Sequence, residues 1–468
     1  MPDETYLTET FERFFISKRV GFLLENPLRT LPSYFSVWHQ LSDTLPELIK
    51  NGTLRSAVHK LPLLDTTSLS SHKEQRLAHL LLATISSAYV WCDGEENVVK
   101  SLPAQLSVPL VTVSQVLGIP PVVNHPSLCL ANYQLSTNGH QSIDLEKDAR
   151  LISGRFSRDY GNDWFFLNTA QIELDFVPAL VKTVEIVWYL KEIHKHCHRA
   201  TRPDNDAKIT ELIASIVECL NGIQNVVKRM RCTLSAMDKH LRPETFFASV
   251  RPFLAGYTAG VYEKWGGLRF EGTSLSEPQP FTGGSAAQSS TLQVLDAVLG
   301  IAHYGDHGRF LQTQRQYMLP AHRQFIEWVE RNVQRSFVYL STLRSKQHTR
   351  SNADTNAIEA NLWPKCDLSD CEREALNVAH ESCVTEDADG RAVVLADSAE
   401  IQGLEEEDEG DDDDALPWIV IGLLVALVLI LVGAGLAACL RKTTRRQEGG
   451  TETASGPASK TSVNLLDI

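Results

Sequence analysis

Along most of the chain, apolar residues return at three- and four-residue steps. Ile209, Leu212, Ile213, Ile216, Val217, Leu220, Ile223, Val226, Val227 and Met230 fall on one stripe when wound at helical pitch. Leu174, Val177, Val181, Val184 and Trp188 repeat the pattern, as do Leu77, Leu80, Leu81 and Ile85. No long alternating run argues for a substantial sheet. Stretches such as "TRPDNDAK", "SLSEPQPFTGG" and "QHTRSNADTN" carry the turn and cap chemistry of loops between helices. The expected class is all-α.

From about Thr385 the pattern changes to a polar segment and then the acidic run "EEEDEGDDDD". The stretch from Leu416 to Leu440 that follows carries no charge. At about 1.5 Å per residue it is long enough to cross a hydrocarbon core of roughly 30 Å, and it is read as a transmembrane helix. Trp418 at one end and Arg441, Lys442, Arg445 and Arg446 at the other fit interface anchors. The expected layout is an acidic linker over 385–415, a span over 416–440 and a polar tail over 441–468.

Composition narrows this picture. With 468 residues, 43% of them hydrophobic, the chain can bury two sizeable cores. The net charge of −14 argues against a nucleic-acid surface, and nine of its carboxylates sit in the single run from Glu405 to Asp414. Nine cysteines without a repeating spacing, and no apolar stretch behind the charged opening, set the expectation of a reduced main domain on the cytoplasmic side of a single-pass protein.

Four stretches invite a chemical reading. "HKHCH" (His194, His196, Cys197, His198) holds metal-ligand types, but helical neighbours one and two apart point in different directions, so it reads as a polar helix end. Cys366, Cys371, His380 and Cys383 form a set that zinc could use, in a large helical chain that needs no metal staple. "PETFFASVR" places Phe246, Phe247 and Arg251 within about a turn and a half of helix. Alone it is a half-buried helix with a snorkelling arginine; with a ligand, the rings suit a flat apolar body and the guanidinium a carboxylate. "PFTGGSAAQSS" brings five small residues, Gly283 to Ala287, before an apolar run, and such a loop can press its backbone against a flat ligand. It lacks the lysine and spacing of a phosphate loop.

Taken together, "ISKRVGFLLENPLRTLP", "HKEQRLAHLLLATISSAYVW", "LGIPPVV", "LCLANY", "WFFLNTA", "FFASVRPFLAGY", "FTGGSAAQSS" and "QYMLPAHRQF" resemble the indoleamine 2,3-dioxygenase family over roughly residues 15–340. The resemblance implies a small helical domain over 1–155 and a helical haem domain over 156–384, divergent after about 341 and monomeric. It implies haem b iron as cofactor, and L-tryptophan and O2 as partners, joined to give N-formylkynurenine. It implies Phe165, Phe246 and Phe247 for the indole ring, Arg251 for the carboxylate, and Thr169 as the distal hydroxyl. Gly283, Gly284, Ser285 and Ala286 match the loop at the haem edge, and Asp296 an acid steadying the proximal side. The family's iron-binding histidine lies in a late helix, in a pattern that this chain lacks, as it lacks the arginine expected to pair with Asp296. His380 is the expected ligand and His348, in "TLRSKQH", the alternative. Two further readings stay open: O2 binding without chemistry, as in the myoglobin-like members, and a membrane-tethered, haem-free scaffold ending in "TSVNLLDI".

Overall fold

The computed structural model describes residues 1–135, 144–197, 203–275 and 277–348, and two short strands, Thr385–Glu386 and Ala392–Val393. Helices dominate, as expected. Among the described residues strands occur only as two-residue pairs, Ser101–Leu102 parallel to Arg269–Phe270 and Gln134–Leu135 antiparallel to Ala149–Arg150, besides the two just named. Among the described residues no helix is long and apolar enough to cross a membrane. The expected span over 416–440 lies outside the described residues, as do the acidic run and the polar tail.

Cα packing divides the chain into two units. One holds the described residues of 2–184 and 225–329, the other residue 1 and the described residues of 185–224 and from 330 onward. The first contains the ring pair, Arg251, the glycine loop and the buried polar cluster described below. In the second, Ile186, Val187, Ile209, Leu212, Ile213, Ile216, Leu220 and Ile223 are buried, and the Cys219 thiol donates to Glu185 Oε2 at 3.3 Å.

The first unit is built on the helix His72–Trp91, in which every residue from Arg76 to Val90 is buried. Its start is fixed by a capping box: Ser71 Oγ accepts from the Glu74 nitrogen at 3.2 Å, and Glu74 Oε2 accepts from the Ser71 nitrogen at 2.8 Å. The expected stripe of Leu77, Leu80, Leu81 and Ile85 is buried, but so is the rest of the circumference. Ala78, Ala83, Ser86, Ser87 and Ala88 are small enough for neighbours to close in on every side. Ala104–Leu117, Ser36–Asp43, His125–Leu128 and the short turn Arg251–Leu254 do so. Several of the polar groups carried inward find partners across those contacts, while Ser86 Oγ and Arg76 Nε have none among the described residues. His79 Nδ1 meets Ser127 Oγ at 2.7 Å, Ser87 Oγ donates to the Phe253 carbonyl at 2.5 Å, and Arg76 Nη2 to the Pro126 carbonyl at 2.7 Å.

The long stripe beginning at Ile209 lies in the helix Pro203–Ser235, with Val217 and Val227 half-buried and its other eight members buried. The stripe at Leu174 is a correction. The chain breaks at Phe176 into two helices, Tyr160–Asp175 and Val177–Cys197, so one phase does not run through. Of the expected five only Val184 is buried; Phe176, Ala179, Leu180 and Val187 take the inner positions.

Leu81→Ala, which empties a methyl-rich position on the encircled helix, is expected to cost about 2–5 kcal/mol. Urea unfolding of wild type and variant, compared at their midpoints, measures it.

Candidate functional site

The helix Tyr160–Asp175 starts at Asp159, whose Oδ1 accepts from the Gly161 nitrogen at 2.7 Å. It then carries Phe165, Thr169 and Glu173 at four-residue steps, on one face. Thr169 Oγ1 donates to the Phe165 carbonyl at 2.7 Å, which spends its hydrogen and leaves its lone pairs as acceptors.

Facing Phe165 is the short helix Pro243–Ser249. The Phe165 and Phe246 ring centroids stand 5.2 Å apart at 42°, and Phe246 meets Phe247 edge-on at 5.4 Å. Phe246 is buried, whereas Phe247 is 54% exposed. Arg251 is not on that helix as its spacing suggested. Pro252 disfavours helical backbone at the residue before it, so the α-helix stops at Ser249 and Arg251 opens the 3-10 turn Arg251–Leu254. Arg251 is half-buried, and among the described residues its guanidinium has no hydrogen bond or ion pair.

The turn leads into the glycine loop by direct backbone contact. Tyr257 N–H donates to the Phe281 carbonyl at 2.7 Å, and a Cβ on Gly283 would overlap the Leu254 carbonyl while one on Gly256 would overlap the Gly283 nitrogen. These two glycines are therefore used up in letting two chain segments touch. Gly284 differs: a Cβ there would meet nothing nearer than Leu254 Cδ2 at 3.6 Å. Ser285 Oγ accepts from the Ala287 nitrogen at 3.2 Å and starts the turn Ala286–Gln288.

A buried polar cluster pins this loop to the Phe165 helix. Gln288 Nε2 donates to the Gly283 carbonyl at 2.7 Å and to Gln314 Oε1 at 3.1 Å, while its Oε1 accepts from the His125 nitrogen at 3.0 Å. Glu173 takes the hydroxyls of Ser289 and, at 2.5 Å, Thr291, together with His125 Nε2 at 2.9 Å. Burial works against charge on both members of the pair. For His125 the neighbouring Cys129 and Glu173 outweigh it and raise the imidazole above its usual range. For Glu173 the bonds from His125, Ser289 and Thr291 outweigh it and lower the carboxyl. Both shifts favour the ion-paired form of this 2.9 Å contact. The sequence reading missed His125, Gln288 and Glu173; the one available signal was an acid in phase with Phe165 and Thr169.

Asp296 lies in the helix Ser290–Leu299, and its Oδ2 meets His303 Nε2 at 3.0 Å. Burial raises its carboxyl, with His303 opposing. The partner sought among arginines is thus a histidine seven residues on. His194 and His196 lie in the last turn of Val177–Cys197, and no group of three His, Cys, Asp or Glu side chains suited to a metal occurs among the described residues. His348 closes the helix Pro320–His348, while His198, His380, Cys366, Cys371 and Cys383 lie outside the described residues.

The sequence profile described as indoleamine 2,3-dioxygenase matches residues 10–360. The chain is 36% identical to a myoglobin of Haliotis madaka over 314 residues, covering 67% of this chain and 75% of that one. It is 36% identical to indoleamine 2,3-dioxygenase 1 of Rattus norvegicus over 326 residues (68% and 74%), and 35% identical to indoleamine 2,3-dioxygenase 2 of Mus musculus over 315 (67% and 72%).

Gly283→Ala is expected to cost about 1–3 kcal/mol through forced backbone displacement, and Gly284→Ala far less, in paired thermal melts. The His125–Glu173 pair carries a pH signature. Glu173, lowered, contributes stability above its unfolded range and loses it in acid; His125, raised, contributes below its unfolded range and loses it as alkali takes its proton. Glu173→Gln should therefore cost most near neutrality, about 3–5 kcal/mol, with the gap narrowing toward both extremes of a urea-midpoint series against pH.

Proposed function

The chain belongs to the indoleamine 2,3-dioxygenase family, and from that premise we propose that it binds haem b and joins both atoms of O2 to the indole 2,3-bond of L-tryptophan, giving N-formylkynurenine. The family is one of haem dioxygenases. What supports the finer reading is one juxtaposition, in which the Phe165–Phe246 ring pair is followed, five residues after Phe246, by an arginine without a partner among the described residues.

The residues present fit a porphyrin edge. With Gly283 spent on the contact to Leu254 and Gly256, Gly284 offers a face without a side chain, and Ser285 and Ala286 continue it with small groups. Bound ferrous haem would supply the electrons that activate O2. The iron ligand is proposed to be His380, with His348 as the alternative, and Asp296 to steady the proximal side.

The chain's own residues do the positioning. Phe165 and Phe246 take the indole ring between aromatic faces, and Phe247, exposed beside them, closes over it. Arg251 grips the carboxylate through two charge-assisted bonds and so fixes which edge of the ring is presented. Thr169, its hydrogen already committed, offers an acceptor at the distal face. No side-chain base is needed, because the protein's task is to orient one flat substrate and exclude water. The apolar stretch 416–440 is proposed to tether the protein to a membrane, with the domains over 1–155 and 156–384 on the cytoplasmic side. A second reading, O2 binding without substrate oxidation, is favoured by the similarity to Haliotis myoglobins.

Arg251→Ala, reconstituted with haemin, is expected to keep stoichiometric haem while the tryptophan concentration that perturbs its Soret band rises by roughly ten- to a hundredfold. An unchanged concentration refutes the role of Arg251. A wild-type spectrum indifferent to tryptophan, with a long-lived O2 complex, supports the second reading.

A further inference from the structure

A cavity of about 300 Å³ lies in the first unit, apart from the ring pair and Arg251. It sits where the helix Ala104–Leu117 ends: Val111, Ile119, Pro121 and Phe281 form its apolar wall, with Ser114 and Arg323 among the lining. That volume stands at the lower end of the roughly 300–1,000 Å³ of small-molecule sites, which combine an apolar wall with a few polar groups. The lining contains a guanidinium and no carboxylate.

Two polar groups in that wall are left over. Helical hydroxyls usually bond back to a carbonyl one turn earlier, and Thr112, two residues from Ser114 in the same helix, does so to Val108 at 2.8 Å. Ser114 Oγ, in a side chain 1% exposed, has no hydrogen-bond partner among the described residues. A buried hydroxyl without a partner costs about 1–3 kcal/mol, so a turn of the Ser114 side chain toward the cavity that gives it a ligand partner is favoured. The second group is Arg323, half-buried and, among the described residues, without a side-chain hydrogen bond or ion pair. It lies in the first turn of the helix Pro320–His348, whose Pro320 ring presses on Gly118 at the cavity wall, so the positive end of that helix adds to its charge. Phe281 carries the site's reach: two residues on is Gly283, and the Phe281 carbonyl is the acceptor that holds Tyr257.

We propose that this cavity is a second ligand site, taking a small carboxylate with an apolar body, the carboxylate bound by Arg323 and Ser114 and the body held against Val111, Ile119, Pro121 and Phe281. The site is independent of haem and of the tryptophan reading.

The test uses the full-length protein in detergent and 4-fluorobenzoate as probe, followed by 19F NMR. Saturable one-to-one binding is expected in wild type, weakened roughly tenfold or more in Arg323→Gln and by a smaller factor in Ser114→Ala, with Arg251→Ala unchanged. Leu275→Trp, which puts a bulky ring into the lining at a half-exposed position and leaves Ser114 and Arg323 unchanged, should abolish binding while the thermal melt is preserved. Binding lost in Arg251→Ala but kept in Arg323→Gln would assign the probe to the tryptophan site and overturn the proposal. So would non-saturable binding, or binding indifferent to Leu275→Trp.

Discussion

The carboxylate of Glu173 has to be satisfied where water does not reach, and the arrangement of the site follows from how that is done. Ser289 and Thr291, from the start of one helix, and His125, from another stretch of chain, converge on its two oxygens. An unpaired buried charge would cost several kcal/mol, so the three donors and the helix that carries Glu173 are held as a set. Because Thr169 and Phe165 lie one and two turns back along that helix, fixing Glu173 fixes the face that would meet a substrate. Because Gln288 sits next to Ser289, the same cluster holds the carbonyl of Gly283.

The second constraint is steric. The turn after Arg251 and the loop at Gly283 touch through backbone atoms, which only Gly256 and Gly283 permit. Placing the arginine on a turn instead of the helix frees its guanidinium from the direction set by Phe246 and Phe247. The ring pair and the cation are thereby positioned by separate elements, and the turn that carries the cation rests on the buried helix His72–Trp91, where Ser87 donates to the Phe253 carbonyl.

Much of this could be read from the chain. Helical periodicity locates Pro203–Ser235 because one amphipathic phase runs its length, and the motif blocks around Phe165, Phe246 and Gly283 point to one site. The encircled helix was harder, since alanines and serines inside it mimic a polar face while serving as close-packing positions. The break at Phe176 escaped a reading that assumed one phase, and Pro252 was the overlooked sign that Arg251 leaves its helix. His125 and Glu173 are separated by 48 residues, and no periodicity links groups that only the fold brings together. The contact between Asp296 and His303 likewise carries no periodic signal.

The central claim is that this chain's ring pair and arginine present tryptophan for oxidation. Supplying the reconstituted, reduced protein with L-tryptophan and 18O-labelled O2, and analysing the product by mass spectrometry, tests it most directly. The account predicts N-formylkynurenine carrying both labelled atoms of one O2. Tryptophan recovered intact beside a stable O2 complex would contradict it.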